Sequence, residues 1–196
     1  MYAATERWVT RLAWIVAIAG GGVLTALTVT TVVAILGRFV ATLPPTPEFL
    51  SALDFVRRAI VAIAAWFVRG NYEFVEVGVG FAVFAFMPWC QLNRGHASVE
   101  ILTNLFPDAV NAAIDLIAYL LLAAMAVYVT WRMWLGMFDK LGYHETTFIL
   151  QFPVWWGYAA AMTGAVAWVI VALFCVWRSV REMRAGVVVQ PSGGVH

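Results

Sequence analysis

Long apolar runs separated by short polar stretches set the pattern of this chain. The first is uncharged from Leu12 to Gly37. Its roughly 26 residues reach about 39 Å at ~1.5 Å per residue, more than the ~30 Å hydrocarbon core of a bilayer. That is too long for the apolar region of a signal peptide, so it reads as an uncleaved anchor. The pattern predicts an all-α integral membrane protein with spans over about 12–40, 72–92, 109–138 and 153–177. Residues 1–185 then form one membrane domain and 186–196 a flexible tail, the last span being stopped by Arg178, Arg181 and Arg184.

Two segments depart from the spanning pattern. In the insert 41–71, Pro44-Pro45-Thr46-Pro47 breaks the helix, and Phe49, Leu53, Val56, Ile60, Ile63 and Phe67 then recur at helical spacing with Asp54, Arg57 and Arg58 off that face. Such a stripe, too short in uncharged length to span, predicts an amphipathic helix lying in the interface. In 93–107, Arg94-Gly95-His96 reads as a turn at a helix end. Val99, Leu102 and Phe106 place an apolar face on a short interfacial helix, and Pro107-Asp108 opens the next span.

Composition narrows the function. With 63% hydrophobic and 12% charged residues, the chain lies outside the range of soluble domains, and a net charge of +1 is too small for binding nucleic acid by charge. No phosphate loop, metal-ligand pair or nucleophile elbow occurs, so neither an enzyme nor a cofactor protein is predicted. Cys90 and Cys175 lie near the ends of apolar runs and read as free thiols. Gly20-Gly21-Gly22 with Thr25, Thr28, Thr30 and Thr31 give the first span a small-residue side suited to helix packing.

The polar residues in or beside the spans are Arg38, Glu73, Glu76, Asp115 and Arg132. The three carboxylates fall in opening turns of helices, where the dipole and free N–H groups favour negative charge. Arg38 is the expected partner of Glu73 or Glu76. Six of the twelve Lys/Arg residues fall on each side of the membrane, so the raw count leaves orientation open. Setting aside Arg38, Arg132 and the insert, the bias places both termini, and the Arg94 turn, in the cytoplasm.

Arg94-Gly95-His96-Ala97-Ser98-Val99-Glu100-Ile101-Leu102, followed by Leu105-Phe106-Pro107, resembles the loop motif of the small permease subunit of TRAP transporters, the DctQ-like family. Gly37-Arg38-Phe39 resembles the end of that family's first helix, Glu76 the acidic start of its second and Asp115 the early acid of its third. Pro153, Trp155 and Tyr158, with Gly164, resemble the opening of its fourth. Ala97, Glu100 and Met162 depart from the commoner Ile or Val, Asp and Pro, and the insert exceeds the usual connection.

The resemblance implies a tripartite, ATP-independent uptake system of the bacterial inner membrane. In it a periplasmic binding protein hands a solute, often an organic acid, to a two-part membrane complex. The large permease subunit carries the ion-coupled transport path, and the small one is its scaffold; membrane lipids are the remaining partner. The assembly motif carried over is Arg94, Gly95, His96, Val99, Glu100, Leu102 and Pro107. The alternative is a haem-bearing or other small four-helix membrane anchor. It needs axial ligands at matched depth, whereas His96 and His144 fall in loops on opposite sides and His196 in the tail.

Overall fold

The computed structural model describes residues 2–42, 55, 56, 58, 59, 61, 62, 71–93 and 108–185. The turn motif from Arg94 to Pro107, most of the insert stripe and the tail lie outside them; the described insert residues are helical. Among the described residues four long helices carry the fold: α1 (Tyr2–Thr42), α2 (Asn71–Leu92), α3 (Asp108–Gly142) and α4 (Trp155–Ala185). Each is long and apolar enough to cross a membrane. α2, with 22 residues, is about 33 Å long and matches the bilayer core, whereas α1, with 41, is about 62 Å. α1, α3 and α4 all continue past the predicted span ends, α3 by a turn to Gly142 and α4 through its three arginines to Ala185.

The helices stand in the spatial order α1, α2, α4, α3, with a lesser contact of α1 on α4. α4 is the most buried of the four, and α1 and α3 turn broad apolar faces outward. Lipid tails are as apolar as leucine, so the seams must close by tight packing rather than by escape from water. Small residues supply it. A Cβ on Gly20 would come 2.7 Å from that of Ala85, and one on Gly78 2.5 Å from Leu27 Cδ1.

The closest approach to backbone pairs Gly164 of α4 with α2. A Cβ on Gly164 would meet the Phe84 carbonyl carbon at 2.8 Å and its oxygen at 3.0 Å. Phe84 is also the residue four before Pro88, a buried proline inside α2. Proline has no N–H to bond that carbonyl, so glycine lets the neighbouring helix cover an oxygen its own helix leaves open. Threonine hydroxyls in α1 bond back to the backbone, Thr25 to the Gly21 carbonyl at 2.8 Å and Thr28 to that of Leu24 at 2.9 Å. They thereby satisfy themselves within the helix.

Candidate functional site

Three polar side chains are buried among the described residues: Glu73, Gln91 and Ser179. Glu73 lies in the first turn of α2 and is 8% exposed. Its two oxygens accept the backbone N–H groups of Ile149 at 2.6 Å and Leu150 at 3.0 Å. Those donors stand at the tip of a short hairpin joining α3 to α4. Thr146 bridges to Pro153, the Thr147 N–H donates to the Phe152 carbonyl at 3.0 Å, and the Val154 N–H to that of Glu145 at 3.0 Å. Lys140 and Glu145 form an ion pair at its base. His144 (φ 50°) and Gln151 (φ 56°) take left-handed conformations that fold the loop back, and the Phe152 ring stacks on Phe74 with centroids 6.4 Å apart.

This corrects the expected pairing of Glu73 with Arg38. The carboxylate is taken by the hairpin, and no Arg38 ion pair with Glu73 or Glu76 occurs among the described residues. Glu76, one turn along, is exposed, as are Arg38, Asp115 and Arg132. Of the five, Glu73 alone is buried. α4 begins at Trp155, and the Trp156 N–H donates to the Pro153 carbonyl at 3.2 Å. Tyr158 then packs its ring over Gly136 of α3, 3.2 Å from where a Cβ would stand.

Gln91, not singled out in the sequence, is wholly buried near the end of α2. Its Oε1 accepts the Trp168 indole N–H, and its backbone carbonyl faces the Cys175 thiol at 3.9 Å. Neither Cys90 nor Cys175 is in a disulfide. A polar glutamine closing an apolar run was the available signal; its partner, 77 residues away, was not readable. Among the described residues no three His, Cys, Asp or Glu side chains gather as a metal site.

The family model for tripartite ATP-independent periplasmic transporters, DctQ component, matches residues 27–182. The chain belongs to the DctQ family. The match runs from within α1 nearly to the end of α4, so it takes in the second part of the first helix and nearly all of the other three in this DctQ component. Neither curated proteins nor solved structures gave a match. The DctQ component is thus a multi-pass membrane subunit of a TRAP transporter whose polar contacts tie helices and loop to one another.

Proposed function

We propose that this DctQ component is the fixed scaffold of an ion-coupled importer. On this reading it holds the large permease subunit while a periplasmic binding protein delivers a solute of the organic-acid class. It sits in the bacterial inner membrane with both termini cytoplasmic, so the α3–α4 hairpin is periplasmic. One observation supports the reading above others: the bundle interior is closed by glycine and alanine contacts, and Glu73 and Gln91 are engaged within it. Carboxylates that bind a coupling ion have to face a path. Here the buried one faces a loop backbone, while the broad apolar faces of α1 and α3 suit a partner and lipid.

The test uses the reconstituted three-part system with Glu76→Gln and Asp115→Asn. Both variants are expected to leave the ion dependence of uptake unchanged, whatever they do to the amount of assembled complex. A variant that assembles normally yet alters the Hill slope for the coupling ion would place this subunit in the coupling machinery and end the scaffold reading.

A further inference from the structure

The α3–α4 hairpin presents an apolar tip on an otherwise ordered loop. Phe148 is 98% exposed, Ile149 58% and Leu150 37%, and no charged residue occurs between Glu145 and Arg178. Water is a poor environment for such a triplet, and the fold fixes where it stands. Ala82, near the middle of α2, packs against Gly20 of α1. Glu73 lies nine residues nearer the helix start, about 14 Å at ~1.5 Å per residue, against a half-thickness of ~15 Å for the hydrocarbon core. The tip bonds directly to Glu73, so it sits at that depth, at the boundary between acyl chains and headgroups.

We propose that the hairpin is a membrane-dipping anchor: Phe148, Ile149 and Leu150 insert into the lipid interface, and Glu73 is the positioning residue that makes this possible. Irregular backbone is tolerated at membrane depth only where protein satisfies its polar groups. The two N–H groups at the tip have no carbonyl across the hairpin to bond, and the Glu73 carboxylate takes both. The loop can then turn its side chains to lipid without carrying those two donors open there. Tyr72 and Phe74 at the start of α2 and Trp156 at the start of α4, all exposed, add aromatic rings suited to the interface at the same helix ends. The anchor requires only that the four helices cross a bilayer, so it stands or falls separately from the scaffold role.

Site-directed spin labelling tests it in the full chain co-assembled with its large permease, in nanodiscs of phosphatidylethanolamine and phosphatidylglycerol. Labels at F148C and, as an aqueous reference, H144C are compared in a C90S/C175S background. At 148 dissolved oxygen should relax the label more than a water-soluble nickel chelate does, and at 144 the order should reverse. Glu73→Ala should raise nickel access at 148 at least about three-fold, and Glu73→Gln, which keeps one acceptor oxygen, less. If 148 is as open to nickel as 144, the tip stands in water. If it is shielded from both reagents, protein covers it. Either result overturns the anchor, and the unsubstituted Glu73 protein alone decides this should the Glu73 variants fail to fold.

Discussion

The indole N–H of Trp168 donates to the side-chain oxygen of Gln91 across the α2–α4 seam, with both side chains buried. The amide nitrogen of Gln91 has no partner among the described residues, so this single bond is what makes the buried amide tolerable. Trp168→Phe leaves the amide wholly unsatisfied, and Gln91→Leu does the same to the indole N–H. In lipid, interhelical hydrogen bonds couple by about 0.6 to 1.7 kcal/mol, and orphaned buried groups cost more than pairs removed together. A double-mutant cycle on unfolding in micelles should therefore show the double variant more stable than the two single losses sum to, by about 1 kcal/mol. Strict additivity would mean that the bond contributes nothing.

Three glycines give a graded series. Gly164→Ala drives a methyl into the α2 backbone, which cannot step aside, and should destabilise by about 1–3 kcal/mol. At Gly78 the obstacle is a terminal methyl of Leu27, which can change rotamer, so Gly78→Ala should cost less. Gly22 has nothing within 4 Å, and Gly22→Ala should be neutral or stabilise by up to about 1 kcal/mol through helix propensity. Melting temperatures of the three variants in one detergent test the ranking; equal effects at Gly164 and Gly22 would contradict the tight crossing.

Gln151 holds a left-handed backbone at φ 56°, a conformation that costs most residues about 1–2 kcal/mol and glycine almost none. Gln151→Gly should leave the melting temperature close to that of the parent, relief of strain offsetting the added freedom of the unfolded chain. Gln151→Val, β-branched, should lower it clearly. A valine variant as stable as the glycine one would show that the hairpin does not depend on this turn.

The spans were legible because an apolar run of twenty or so residues has few other uses, and the Gly20-Gly21-Gly22 stretch announced close packing that Gly20 realises on Ala85. Glu73 could be noticed as an acid beside a span, but its partners could not. The N–H groups of Ile149 and Leu150 lie 76 and 77 residues along the chain, and backbone donors leave no mark in a sequence. Opposite charge, a pairing rule that a sequence does display, points from Arg38 to Glu73 or Glu76 instead. Gln91 was hidden for a related reason. A single amide near a helix end normally meets water, and only the crossing of α4 buries it. The proline in α2 was visible, yet its use with Gly164 depends on a register between helices that periodicity cannot supply.

Helix α2 has no turns to spare. A helix of about 62 Å, or even the ~47 Å of α4's 31 residues, can meet a thicker bilayer by standing more upright or drawing in a protruding end, as longer hydrophobic segments do. The ~33 Å of α2 cannot, because Glu73 at one end and Asn93 just beyond the other would enter hydrocarbon first. The shortest of these four helices therefore acts as a thickness gauge for the subunit, matching it to membranes with acyl regions near ~30 Å and disfavouring thicker, sterol-like bilayers.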